Sequence, residues 1–240
     1  MTSAGYAFTF PHGWGRLNLA IDLDSEIERF LDGVTSLGRQ RDARNTVLAR
    51  RRAKNTYLAI CSQAKQDGVL DLFVFSSTAG PSMGPMCLSV VPVVTNEARS
   101  GVSLNVEVAR SLAGPTSLVS TMSTSQGDVA RVLDRWTESA AQWARTAELA
   151  LARRGIASTT DLSSEQRQAL EEPLETARVH YIVDVPERRA CVLLMTFIAT
   201  GGVFLSPQLA HADDIVRAFR WTMPARTRPS STSAESKAGS

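Results

Sequence analysis

Cysteine is scarce in this chain. Its three residues, Cys61, Cys87 and Cys191, each stand alone among apolar neighbours with no Cys-x-x-Cys spacing. That distribution suits buried thiols in a reducing compartment and argues against zinc ligation or a disulfide framework. An excess of one charge is missing too. The 26 basic and 24 acidic residues leave a formal +2, too even a balance to draw nucleic acid or a membrane by bulk attraction. No apolar run approaches the roughly 20 residues a membrane helix needs; the longest lies near Cys191–Phe197. Met1 to Tyr6 has no basic cap leading into an apolar segment, the pattern of a secretory signal. The expectation is a soluble cytoplasmic protein without a membrane span.

What the chain does have is a core. At 240 residues the length fits one large domain or two small ones, and 43% hydrophobic content is enough for a real core. The densest β-type stretch is Tyr181–Phe197, two apolar, β-branched runs joined by a Pro186-led polar turn, which predicts a central hairpin that other segments cover. Upstream, Ala7–Phe10 alternates like a short strand, Pro11-His12-Gly13 turns, and Trp14–Leu19 resumes extended structure, the pattern of an opening hairpin or strand bend whose aromatics pack on later elements. Ser25-Glu26-Ile27-Glu28 is a capping-box pattern for a short helix through Phe30, Leu31 and Val34 that ends at Gly38. Arg41 to Gln66 predicts a long helix, with Ala43, Val47, Ala53, Tyr57, Ile60, Cys61 and Ala64 on one side and Asp67-Gly68 as its stop. Arg50 and Lys54 fall inside that stripe. Either their stems run along core surface at the sheet's rim, or the helix covers the sheet only in its second half.

Val69–Ser77 and Met86–Val94 read as strands flanking a Gly/Pro loop at Thr78–Gly84. Leu104, Val108 and Leu112 favour a helix over the competing alternation of Val102 to Val108. Leu118–Thr124 and Asp128–Trp136 flank Ser125-Gln126-Gly127 as a second hairpin. Glu138–Arg153 and a segment capped at Ser163–Gln166 predict helices, so about 138–177 reads as a helical excursion from the core. Ala212–Trp221 reads as a last helix, and residues 225–240, rich in Ser, Thr, Pro and Arg, as a disordered tail after a single domain spanning 1–224.

The chemistry-bearing candidates are few. Arg39, Arg41, Arg44, Arg50, Arg51, Arg52 and Lys54 form the sharpest charge feature, which reads as a solvated helix face or as a basic docking surface for an acidic protein, with Arg44, Arg50, Arg51, Arg52 and Lys54 as its binding residues. Only Tyr57 stands near enough to stack a base, so nucleic acid is not the expected partner. Ser62-x-x-Lys65 lacks the Lys-Thr-Gly strand that serine acylases of this pattern also carry. His12, His180 and His211 lack metal-type spacing, although His180 could meet a carboxylate in space. Glu171, Glu172 and Glu175 crowd a proline-broken helix end, where a solvated acidic surface is usual. Thr78–Gly84 has no Walker ending and no helix after it, so it is not a phosphate cradle. Trp136, at a strand end, and Trp143 read as independent packing aromatics.

Tyr6–Trp14 resembles the aromatic strand and Pro-x-Gly-Trp opening of a family of uncharacterised actinobacterial proteins. Tyr181–Thr200, closed by Ile215–Trp221, is similar to that family's ending, and the order also resembles the PsbP-like α/β sandwich. The match covers about a quarter of the chain and holds no catalytic motif. The resemblance implies an accessory module that docks on larger assemblies and, for proteins of this actinobacterial type, one accessory to type VII secretion.

The expected fold is α+β: an antiparallel sheet of about six to eight strands, with the long helix and the C-terminal helix packed on one face. The expected function is a non-enzymatic protein-binding module with no cofactor and no metal. A small-molecule-binding or hydrolytic domain assembled around His180 and an acid is the second expectation. Nucleic-acid binding through the arginine helix is the third.

Overall fold

The computed structural model describes residues 5–35, 43–75, 86–95, 103–139, 173–188 and 190–222. The expected loop at Thr78–Gly84, most of the helical excursion, Trp143 and the tail lie outside the described residues. The chain is α+β, built on a seven-stranded sheet.

In chain order the elements are β1 (Gly5–Ala7), β2 (Trp14–Leu17), α1 (Leu23–Thr35), α2 (Ala43–Gln66), β3 (Asp71–Phe75), β4 (Met86–Val94) and α3 (Leu104–Leu112). There follow β5 (Leu118–Thr124), β6 (Gly127–Ser139), β7 (Pro173–Asp184), β8 (Cys191–Thr200), α4 (Leu205–Arg217) and β9 (Arg220–Thr222). The large sheet runs β2-β3-β4-β8-β7-β6-β5, and every neighbouring pair is antiparallel.

The expected central hairpin is β7–β8, paired from Asp184↔Val192 to Thr176↔Thr200. Its turn places Glu187 at φ 62, a left-handed conformation uncommon for a side-chain-bearing residue. The strand β8 lies between β7 and β4, so the last long strand in the chain joins the β3–β4 pair to the β5-β6-β7 meander.

Register assigns the faces, because successive side chains alternate. Phe73, Leu88, Phe197, Val179 and Leu133 share one row across the sheet. They belong to a core roofed by Leu205, Leu209, Ala212, Ile215 and Val216 of α4 and packed at its margin by Tyr6, Phe8, Phe10 and Trp14. On the opposite face, Leu72 and Val74 meet Ile27, Phe30 and Leu31 of α1 and Cys61 of α2. Farther along that face, Leu104, Val108 and Ala109 of α3 cover Ala130, Val132, Ile182 and Val192. Full burial of each large side chain is worth roughly 1.5–3 kcal/mol, which makes these clusters the dominant stabilising contribution.

Several local expectations change. The helices α2 and α4 divide between the two faces rather than sharing one, because α2 packs with α1 over Leu72 and Val74 while α4 roofs the other side. No opening hairpin forms: β1 pairs with β9, and β2 pairs with β3. The α1 cap is Asp22, whose carboxylate accepts from the Ser25 amide at 3.0 Å and the Ser25 hydroxyl at 2.7 Å. The last helix starts at Leu205, seven residues before Ala212, because Pro207 is tolerated in a first helical turn. The ladder of β6 and β7 runs to Ser139↔Pro173, so the outer residues of the 138–177 excursion are strand.

Candidate functional site

The basic helix was the sharpest sequence candidate, and packing divides it. Asp24, Glu28 and Asp32 recur at four-residue intervals on α1, the spacing that places them on one side. Arg50 meets Glu28 at 2.6 Å and Asp32 at 2.7 Å, and Lys54 meets Asp24 at 3.0 Å and Glu28 at 2.9 Å. These pairs hold the Glu28 carboxyl below its usual range and lift Arg50 and Lys54 above theirs. Arg50 and Lys54 therefore join two helices, which is why they fall inside the apolar stripe. Arg51 is exposed. Arg44 and Arg52 lie on α2, with side chains outside the described residues. The acidic partners of Arg50 and Lys54 were legible, since a 24/28/32 row answers a 50/54 row.

The second candidate was His180 with an acid. On the α1–α2–α3 face, His180 Nδ1 lies 2.8 Å from Thr196 Oγ1, directly across the β7–β8 pair. Asp134 is held by Arg178 at 2.8 Å and by the Ser117 hydroxyl, so its carboxylate is committed to those two groups. Burial, then the Arg178 charge, push the His180 pKa down, which keeps the ring neutral at pH 7. Burial raises Asp134, but the Ser117 and Arg178 hydrogen bonds outweigh it and leave the pKa lowered. Trp136, whose indole N–H donates to Glu138 at 3.0 Å, has the Arg178 guanidinium 5.8 Å from its ring centroid. The strip can orient a polar ligand, but its imidazole is aligned on a hydroxyl rather than on a carboxylate.

Other ionisable groups serve the packing. Tyr6 donates to Asp71 at 2.5 Å, and Arg16 pairs with the same carboxylate, tying β1 and β2 to β3. Tyr181 donates to Asp213, which Arg131 meets at 3.0 Å, tying α4 to β6 and β7. Burial and then the aspartate bond push both phenols well above the ordinary tyrosine range. His211 accepts from the Trp14 indole at 3.0 Å, and burial lowers its pKa. Ser62 donates to the Leu58 carbonyl at 2.6 Å, a back-bond within the helix rather than a link to Lys65. The cysteines are free, and burial pushes Cys61 and Cys87 up to about 11, so neither is a ready nucleophile at neutral pH. Among the described residues, no group of three or more His, Cys, Asp or Glu could hold a metal ion. No described helix is long and apolar enough to cross a membrane.

One surface feature escaped the sequence. Among the described residues, β5 is an edge strand bonded to β6 alone. Its first four residues are exposed, with Leu118 at 64% and Val119 at 47%. It holds seven residues, none charged and none proline. Natural edge strands are usually protected by shortness, charge, proline or a bulge, because an open row of N–H and C=O groups is a template for another strand. The edge character of β5 follows from the order of the whole sheet, so no local signal could have revealed it.

No protein-family model matches the chain, and no curated protein matches it in sequence. Among solved structures, the chain is similar to LpqN of Mycobacterium tuberculosis, described as involved in cell envelope biogenesis, at 9% identity and a TM-score of 0.38, over 93% of this chain and 86% of that one.

Proposed function

We propose that this chain is a non-enzymatic protein-binding accessory module that accepts an extended segment of a protein along β5. The observation that carries the reading is the seven-residue, uncharged edge strand, uncovered among the described residues, with its Leu118 and Val119 exposed. In strand addition, main-chain hydrogen bonds supply affinity, and alternate side chains supply specificity. The absence of charge on β5 favours an uncharged, β-prone segment as the ligand. The commitments of His180 to Thr196 and of Asp134 to Ser117 and Arg178 support binding over catalysis.

The test is selection of extended peptides from a random library against the whole chain, followed by proline substitution on β5. Adjacent strand residues direct their N–H groups to opposite sides. One of Ser120→Pro and Thr121→Pro therefore removes an outward donor while sparing the β6 ladder. The selected peptides should be uncharged and should lose at least about tenfold in affinity with that variant, the equivalent of a contact worth about 1.4 kcal/mol. Binders indifferent to both proline variants would sink the proposal.

A further inference from the structure

The seven-stranded sheet has β2 and β5 at its edges, and of the two it is β5 that offers seven uncharged residues to an identical copy. We infer that the strand accepted by β5 is β5 of a second copy of this chain, joined antiparallel about a two-fold axis at Thr121. This rests on the strand-addition reading above and names the partner for it.

The argument is one of self-complementarity. A two-fold interface brings the same patch to itself, so each residue must tolerate its symmetry mate. With Thr121 on the axis, all seven positions of Leu118–Thr124 overlap. Leu118 then faces Thr124, Val119 faces Ser123, Ser120 faces Met122, and Thr121 faces itself. Because each pair sums to an even number, partners lie on the same face of the joined sheet, as the period of two requires. No position sets a charge against a like charge, and the central Thr–Thr pair is favourable across strands. The exposed Leu118 and Val119 lose water to the opposing strand.

The opposite edge meets the same test less well. β2 has four residues against seven, and a two-fold pairing centred on Arg16 opposes that charge to its own copy. Arg16 is moreover tied to Asp71.

The length of the contact sets its strength. Seven residues at about 3.3 Å each give a ribbon about 23 Å long. A patch of that length and one strand wide falls well short of the roughly 800 Å² per partner that a stable complex buries. The prediction is accordingly a reversible monomer–dimer equilibrium, with dimer appearing in the micromolar range and above.

Sedimentation velocity of the whole chain over a range of concentrations tests it. Wild type should move from one protomer mass toward two as concentration rises. Thr121→Lys and Thr121→Glu each place like charges on the axis, and each should weaken dimerisation by about tenfold. An equimolar mixture of the two sets lysine against glutamate and should recover the heavier species. Position 121 is exposed, so both variants should keep the wild-type thermal transition at high dilution, which separates loss of pairing from loss of fold.

A dimer that survives both single variants, or a mixture no heavier than its components, overturns the pairing. A wild-type chain that stays monomeric while the selected peptides still bind in a proline-sensitive way overturns self-recognition and leaves strand addition standing. A monomer that also binds no such peptide removes both.

Discussion

The two edges of the sheet are treated in opposite ways. At β2 the chain closes its own border: Leu17 is fully buried, and Arg16 and Tyr6 share Asp71. Trp14 reaches across to His211, and Gly15 lies so near Phe30 that an added Cβ would stand 2.6 Å from its ring. At β5 no comparable lock is found among the described residues, and four consecutive residues are exposed. The difference teaches that the first edge belongs to the folding of the chain, while the second, on the reading proposed above, is where a partner strand would meet it. Substitutions at β2 should read out in stability, and those at β5 in association.

Truncation at the closed edge should have the largest effect. Leu17→Ala removes a fully buried side chain and should cost about 3 kcal/mol in urea unfolding. Val119→Ala on β5 should stay within about 0.5 kcal/mol, as surface substitutions do. Equal losses at the two sites would erase the contrast.

Gly15→Ala should follow. The new methyl would meet the Phe30 ring at 2.6 Å and 3.0 Å, and such overpacking costs about 1–3 kcal/mol. The double variant Gly15→Ala, Phe30→Leu should recover part of that loss, which a denaturation midpoint would show.

Acid should loosen the closed edge more gently. The folded pKa values of His211 and His180 are both lowered, so the unfolded chain binds protons more readily than the folded one. Their contribution is complete above the unfolded value near 6.5 and declines as pH falls through it toward the folded values. Protonated His211 cannot accept from Trp14. Thermal melts should therefore fall below about pH 6.5, and His211→Gln should remove part of that dependence, leaving the His180 share, without changing association. A pH-independent melt in this window would refute the argument.

The smallest effect concerns the α1–α2 ion pairs, remote from both edges. Lys54→Glu should lower the melting temperature slightly at low salt by opposing Asp24 and Glu28, and added salt should shrink the difference. It should leave sedimentation unchanged.

Elements written in local pattern were readable. Met86–Val94 matches β4 to the residue, and the Leu104–Val108–Leu112 stripe is a helix despite the competing alternation. The density of apolar residues in Tyr181–Phe197 made the central hairpin plain. Features fixed by distant partners were not readable. Three-residue β1 has too little pattern to announce a partner more than two hundred residues away in β9. The polar start of α4 at Ser206-Pro207-Gln208 concealed its first turn. Of the basic cluster, Arg50 and Lys54 became structural cations once α1 was beside them, while the openness of β5 depended on where every other strand went.

The location of β8 has a consequence for how the molecule comes into being. A chain emerging from the ribosome has made β2, β3 and β4, and later β5, β6 and β7, before the strand that bridges them exists. Until residues 191–200 arrive, two partial sheets each present an unmatched inner border, where transient exposure favours aggregation. Closure of so distant a pairing carries a loop-entropy cost, so assembly should be slow and should depend on this keystone. A nascent chain stalled before Cys191 should be sensitive to protease, and one stalled well after Phe219, with α4 clear of the exit tunnel, should resist it.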